Sequence, residues 1–283
     1  MSTMRSIYLG IMLIAINMDV NAQVNKTTDT SRIERAQKKY RELFGARAVL
    51  SATDPELLTI LQRFIFGEVF YTGTLDDQTR ELITITTLVT NQTLPQLKSH
   101  TNAALNIGVT PIQIREVVYQ LSVFIGFPKV LNAMDTINSV FKSRGILLPL
   151  PNQATVKDNE RLESGKLKQF PLYGDAMKRN MKDLPGVYAE FVPNMLTETC
   201  FGDFYTRTGL DIKTRELMIF CALATLGGTE RQMTSHALGN LKVGNNKEVL
   251  ISAMVQCYPY IGFPRISNAI SIIREVKLEE IKQ

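Results

Sequence analysis

The sequence predicts an all-α protein in which two tandem copies of one helical unit pack together as a pseudo-dimer. Apolar residues recur at helical spacing between capping signals, and the same motifs return once at a nearly constant interval. With 283 residues, of which 45% are hydrophobic, the chain is long enough for about two globular domains. This composition excludes the disordered and collagen-like classes.

The internal repeat is clearest around an Arg-Glu-Leu motif. Residues 75–82 return as residues 210–217, an offset of 135 positions. One inserted residue then changes the offset to 136, and this offset holds for the remaining motifs. The repeated polar and turn-forming residues are Thr93, Gln96, Ser99, His100 and Gly126-Phe127-Pro128, which return as Thr229, Gln232, Ser235, His236 and Gly262-Phe263-Pro264. Chance does not maintain one offset over about 70 residues, so the chain carries a tandem duplication.

Capping residues predict where the first helices begin. A capping box formed by Ser31 and Glu34 predicts a basic, exposed helix that runs to about Leu43. Asp54 followed by a proline is typical of a second helix start.

Asp76 begins a further helix, and its counterpart at residues 216–226 consists of good helix formers, which favours a helix over a strand. Residues 95–106 and 231–242 form helices closed by glycines, and another helix begins after Thr110 in the first copy and after Asn246 in the second. We interpret each Gly-Phe-Pro motif as a backbone bend that starts the last helix of its copy.

Charge and residue counts exclude several functions. The chain has 32 basic and 27 acidic residues, a net charge of +5, and the segment 32–47 alone supplies most of this excess. A spread-out nucleic-acid-binding surface is therefore not expected. The three cysteines, at positions 200, 221 and 257, are too few and too scattered for a disulfide framework, so small buried hydrophobes are the simplest interpretation. Two histidines cannot build a His-rich metal site, so no metal is expected.

The N-terminus is typical of a secretory signal. Arg5 precedes an apolar run at residues 7–18, and small residues follow shortly before Gln23. The run is too short to span a bilayer, which takes about 20 residues, and a buried N-terminal helix is the alternative. We expect an exported protein, periplasmic or secreted, with no membrane span in the mature chain.

These features divide the chain into five segments. They are a signal peptide at 1–22, a basic helix and linker at 23–53, a first repeat at 54–143, a connector rich in Gly and Pro at 144–184, and a second repeat at 185–283.

The repeated polar residues are the candidates for chemistry. Glu81 lies one helix before His100, and Glu216 holds the same place before His236. A histidine facing a carboxylate suits proton transfer, although a simple ion pair or a backbone hydrogen bond is the structural alternative. The aromatic residues Tyr119, Phe124, Tyr258 and Tyr260 are candidates for a pocket lining, but aromatics at helical spacing more often belong to a core.

These motifs together resemble the carboxymuconolactone decarboxylase family, which includes alkylhydroperoxidase D-like proteins. The resemblance covers residues 55–143 and 187–277, and it implies the all-helical alkylhydroperoxidase D-like fold. The redox branch of that family carries C-x-x-C-x-x-x-H after a glutamate. The glutamate and final histidine match Glu81 and His100, but the two cysteine positions hold Thr93 and Gln96 here, and Thr229 and Gln232 in the second copy.

The resemblance therefore implies a lyase that needs no cofactor and decarboxylates a carboxylated lactone or a related small molecule. His100 and His236 would donate or shuttle the proton, Glu81 and Glu216 would orient them, and the four residues at the cysteine positions would hold the substrate. An alkylhydroperoxidase or peroxiredoxin-type antioxidant activity and a non-catalytic binding protein are the alternatives. The family also implies rings of six units, which three copies of this chain would form as a homo-oligomer.

Overall fold

The computed structural model of the protein describes the backbone of residues 19–46 and 52–278, with side chains from residue 32 onward in these ranges. All regular secondary structure in these ranges is helical, as predicted. The helices are α1 Asp19–Phe44, α2 Pro55–Gly67, α3 Asp77–Asn91, α4 Leu94–Asn106, α5 Pro111–Gln120, α6 Ser122–Ile125, α7 Phe127–Ser143, α8 Arg161–Tyr173, α9 Ala176–Asn180, α10 Tyr188–Leu196, α11 Ile212–Leu226, α12 Glu230–Lys242, α13 Lys247–Ile261 and α14 Phe263–Glu275. A π-helical segment, Thr197–Tyr205, continues α10.

The predicted capping residues begin several of these helices. The side chain of Asp76 accepts a hydrogen bond from the backbone N–H of the first turn of α3, and Asp211 does the same for α11. Thr110 and Gln113 form a reciprocal capping box at the start of α5. Gly126 and its counterpart before α14 adopt φ values of 85° and 79°, which confirms the predicted backbone bends.

The first helix differs from the prediction in two ways. Its backbone is helical from Asp19, so the capping box at Ser31 does not begin it. It is also not an exposed helix, because Ala36, Lys39 and Leu43 on one face are buried against α2 and α4. Because the segment is rich in Lys and Arg, its buried apolar face was not predicted from the sequence.

The structure adds one helix to each repeat. Helix α8 packs on the π-helical segment Thr197–Tyr205 and on α12, as α1 packs on α2 and α4. The two helices share Arg, Leu, aromatic and Gly positions at an offset of 129, namely Arg32, Leu43, Phe44 and Gly45 against Arg161, Leu172, Tyr173 and Gly174. Residues 161–173 of the predicted connector are therefore the first helix of the second unit.

Matching contacts fix these two helices. Arg32 forms an ion pair with Glu68, and Arg161 forms an ion pair with Asp203 at the equivalent place. A Cβ atom added at Gly202 would lie 2.4 Å from the backbone oxygen of Arg161. The equivalent glycine of the first unit also lies against its covering helix, so glycine permits the same close helix crossing in both units.

The two units form one continuous core around α3 and α11, which pack against each other. Arg80 donates a 3.1 Å hydrogen bond to Gln256 of the other unit, and Arg215 donates a 3.3 Å hydrogen bond to Gln120 in return. The two hydrogen bonds are equivalent, because Arg215 is the counterpart of Arg80 and Gln120 is the counterpart of Gln256. A twofold axis between two copies produces this reciprocal pattern. This confirms the predicted pseudo-dimer.

The predicted signal peptide at 1–22 lies outside the described residues except for the start of the α1 backbone, and export stays a prediction. Within the described ranges, no helix is both long enough and apolar enough to cross a bilayer.

Candidate active site

The first predicted pair comes together in the interior. Glu81 on α3 is fully buried, and His100 on α4 is 7% exposed. Nδ1 of His100 lies 2.9 Å from Oε2 and 3.2 Å from Oε1 of Glu81. Nδ1 thus faces the carboxylate, which leaves Nε2 on the other edge of the ring for chemistry. Nε2 makes no hydrogen bond with any described residue.

The second pair repeats this geometry. Glu216 on α11 is fully buried, and its Oε2 lies 3.0 Å from Nδ1 of His236 on α12. The side-chain amide of Asn240 donates to the backbone oxygens of both residues and ties α12 to α11 at this point.

Each histidine is also covered by an aromatic residue of the opposite unit. Tyr260 of the second unit packs edge-on against His100, with ring centroids 5.8 Å apart. Phe124 of the first unit packs against His236 in the same way at 5.6 Å. Both sites therefore lie at the junction of the two units, and each is incomplete without the other copy.

Phe124 and Tyr260 are equivalent positions at offset 136. Both pack against the common core, as the sequence favoured, and they contact the histidines as well.

The second site contains two tyrosines that the sequence did not single out. Tyr173 donates a 2.6 Å hydrogen bond to Oε2 of Glu216 and lies 2.8 Å from Nδ1 of His236. Tyr205 donates a 2.5 Å hydrogen bond to Oε1 of Glu216. Burial, reinforced by the charge of Glu216, raises the pKa of both phenols well above 10, so they stay protonated donors.

The first site holds Phe44 and Phe70 at the positions of these tyrosines. Phe44 packs against His100 with centroids 5.6 Å apart, and Phe70 is buried nearby in the same apolar cluster. Glu81 therefore receives its hydrogen bonds from His100 alone among the described residues, whereas Glu216 has three donors. The repeat itself could have revealed this difference, because each tyrosine of the second copy is aligned with a phenylalanine of the first.

Among the described residues, the four predicted to hold substrate make no hydrogen bond with the buried Glu–His pairs. Thr93 and Thr229 precede α4 and α12, and their hydroxyls bond backbone oxygens at the end of the preceding helix. Gln96 and Gln232 are exposed on the first turns of α4 and α12. In each predicted set, only the Glu and His members are hydrogen-bonded to each other, and the binding role of the other four residues stays a prediction.

The three cysteines are buried and free. Burial raises the pKa of the Cys200 and Cys257 thiols, which keeps them in the unreactive thiol form. This fits the interpretation as small buried hydrophobes and gives no support to a thiol peroxidase.

The described residues contain no group of three or more His, Cys, Asp or Glu side chains arranged to hold a metal ion.

Comparison with known proteins agrees with this architecture. The model of the carboxymuconolactone decarboxylase family matches the chain twice, at residues 55–138 and 192–275, which together make up more than half of it. The chain belongs to the carboxymuconolactone decarboxylase family. The two matches fall on the two repeats, so this is a two-unit member of the family.

Individual relatives match about one unit each. The chain is 29% identical over 124 residues to 4-carboxymuconolactone decarboxylase of Acinetobacter baylyi, which covers 42% of this chain and 92% of that protein. It is 32% identical over 75 residues to the nitrosuccinic acid decarboxylase of Metarhizium robertsii, which covers 26% of this chain and 52% of that protein.

A solved structure shares the fold. It is described as a gamma-carboxymuconolactone decarboxylase subunit from Burkholderia xenovorans, and it matches 85% of this chain and 94% of its own with a TM-score of 0.53. At 18% identity this likeness shows the alkylhydroperoxidase D-like fold alone.

Proposed function

We propose that this decarboxylase-family protein is a carboxy-lyase that works without a cofactor, with the Glu–His pairs as its proton-transfer groups. The observation that carries the proposal is the buried Glu–His contact, present in both units with Nδ1–Oε2 distances of 2.9 Å and 3.0 Å. The carboxylate fixes the orientation of the imidazole, and Nε2 remains free of described partners, as a proton-transfer group requires.

The proposed decarboxylation requires only a proton donor and a carboxylate that stabilises its charged form. The C–C bond to the carboxylate breaks, carbon dioxide leaves, and the electron pair moves into a neighbouring electron-withdrawing group of the substrate. Nε2–H of the histidine then protonates the carbon, and solvent returns the proton to the imidazole. Glu81 or Glu216 stabilises the imidazolium that exists before this transfer.

The names of the relatives support a substrate class. A carboxymuconolactone offers a lactone carbonyl as the electron acceptor, and a nitrosuccinic acid offers a nitro group. We propose for this chain a small carboxylic acid in which the leaving carboxylate is adjacent to, or conjugated with, such an acceptor.

Replacing both histidines tests the proposal. We expect H100A/H236A to lose at least about 100-fold in turnover of 4-carboxymuconolactone or nitrosuccinic acid, because general acid catalysis contributes roughly this factor or more. Carbon dioxide release from purified protein is the measurement.

The matched control is S99A/S235A. These serines precede the two histidines on the exposed side of the same helices and bond only a backbone oxygen one turn earlier. Equal turnover by the histidine variant and the wild type would eliminate the proposal. Wild-type protein that binds these acids tightly without releasing carbon dioxide would favour a binding protein instead.

We also propose that the chain forms a homo-oligomer, as its family resemblance implies. Large apolar side chains are exposed on α2 at Leu57 and Ile60, and on α8 and α10 at Leu167, Phe170 and Phe191. Such faces are typical of interfaces. A mass in solution equal to one chain at micromolar concentration would exclude the oligomer.

A further inference from the structure

A basic cavity of about 580 Å³ lies between α5, α7 and the segment that follows α7. Its charged lining residues are Arg115, Lys142 and Arg207, and no acidic side chain of the described residues lines it. The Glu–His pairs do not line it either, so the basic cavity is separate from both proposed active sites. Its volume is in the range of small-molecule sites.

We propose that the basic cavity binds a small dicarboxylic acid. The carboxylates of this ligand would contact Arg207 and Lys142, and its aliphatic part would lie against the apolar wall. This binding site goes beyond the proposed function, because it requires neither histidine.

The ionic cluster behind the cavity carries more positive charge than its one carboxylate balances. Glu116 is fully buried and accepts hydrogen bonds from Arg115 and Arg207. Arg215 lies 3.7 Å from the same carboxylate. Three guanidinium groups that face one carboxylate leave two positive charges without a described counter-charge. The backbone oxygens that accept from Arg115 are neutral and do not remove this excess. Because buried charge without a counter-charge is costly, the cluster favours an anion in the cavity.

Several donors of the cavity are free to receive that anion. Nε and Nη2 of Arg207 bond Glu116, whereas Nη1 makes no hydrogen bond with any described residue. Lys142 is exposed in the last turn of α7 and forms no ion pair with any described residue. The side-chain amide of Asn138 likewise has no described hydrogen bond. A carboxylate can therefore bind these groups by charge-assisted hydrogen bonds without breaking an existing contact.

The arginines are held in place before any ligand binds. The guanidinium carbons of Arg115 and Arg207 each lie 5.5 Å from the ring centre of Tyr119. Their side chains are only 7% and 13% exposed, so binding does not have to order them. Met134 and Leu148 provide the apolar wall, which an aliphatic acid can contact and an inorganic anion cannot.

The positive charges of the cavity occur on one side of the molecule only. At the equivalent positions of the other unit, uncharged residues replace the three cations, namely Ile251 for Arg115, Leu278 for Lys142 and Thr72 for Arg207. Cations that the shared fold required would recur in both units. We therefore expect one ligand per chain, whereas the Glu–His pairs would give two sites per chain.

Isothermal titration calorimetry at low ionic strength tests the proposal. We expect glutarate and adipate to bind saturably to the wild-type protein with one site per chain. Inorganic phosphate should bind more weakly because it cannot use the apolar wall, and hexanediol, which lacks charge, should not bind.

Two variants locate the binding. K142E should weaken adipate binding by at least about fivefold, because a repulsion replaces an attraction. K129E is the matched control, since it makes the same charge change on α7 outside the cavity, and its affinity should stay within about twofold of the wild type. R207K should weaken binding by at least about tenfold, because lysine keeps the charge but lacks the planar fork.

The proposal and the decarboxylase mechanism fail separately, because H100A/H236A should bind adipate as the wild type does. Lys142 is exposed and has no described ion-pair partner, so a loss in K142E would not come from unfolding. No saturable binding up to about 10 mM adipate would overturn the proposal. So would two sites per chain, equal losses in K142E and K129E, loss of binding in H100A/H236A, or phosphate binding as tightly as adipate.

Discussion

A buried carboxylate links the two units, and its removal is expected to be costly. Glu116 on α5 of the first unit is fully buried, and Arg207 of the second unit donates to it from Nε at 2.7 Å and from Nη2 at 3.0 Å. Arg115 donates two further hydrogen bonds to Oε1, at 3.2 Å and 3.3 Å, and Arg215 lies within 3.7 Å. One carboxylate therefore faces three guanidinium groups.

We expect E116Q to lower the free energy of unfolding by about 3 kcal/mol. Removing one partner of a buried ion pair costs about 3–5 kcal/mol, because the other charge stays buried without compensation. The lower end applies here, since the side chain of Arg207 is 13% exposed and water can reach it. Glutamine keeps the volume of the side chain, so the loss reports charge and hydrogen bonding rather than a cavity.

Urea unfolding at neutral pH, followed by circular dichroism, measures this loss. E163Q is the matched control, because Glu163 pairs with Lys166 on the surface of α8 and should contribute less than about 0.5 kcal/mol. A loss below about 1 kcal/mol for E116Q would refute the reasoning that this cluster holds the units together. The counterpart of Glu116 in the second unit is Ser252, which bonds a backbone N–H, so the ionic link exists on one side only.

Three further outcomes follow from the structure. G202A should lower the free energy of unfolding by about 1–3 kcal/mol, because its methyl group would overlap the backbone of α8, and urea unfolding would show this. D211A should lower it by about 1 kcal/mol through loss of the α11 cap, and a loss indistinguishable from zero would contradict the capping role. Because the folded-state pKa values of Tyr173 and Tyr205 are raised above 10, their stabilising contribution is complete below pH 10 and is lost as the pH rises through those values. Urea midpoints measured across this range should fall, and Y173F/Y205F should flatten the dependence.

Much of the fold could be predicted from the sequence because its signals are local or repeated. The caps at Asp76 and Asp211 act on the turn that follows them, so the residue order is sufficient to locate them. The duplication then provided an internal comparison, which identified Glu81 and His100 with their counterparts as the candidate pairs. The helices α1 and α8 were harder to match, because the linkers that follow them differ in length and change the offset to 129.

Residue order alone shows that this protein is a duplicated helical unit with one glutamate and one histidine at the same place in each copy. The surroundings of those pairs depend on how the helices pack. Phe124 and Tyr260 reach the histidines only because α3 and α11 pack the two units around a twofold axis. The sequence could not show these contacts, because aromatic residues of any helical core have the same spacing. Tyr173 reaches His236 because α8 crosses α12 at a glycine, a contact between residues 63 positions apart that no local pattern specifies.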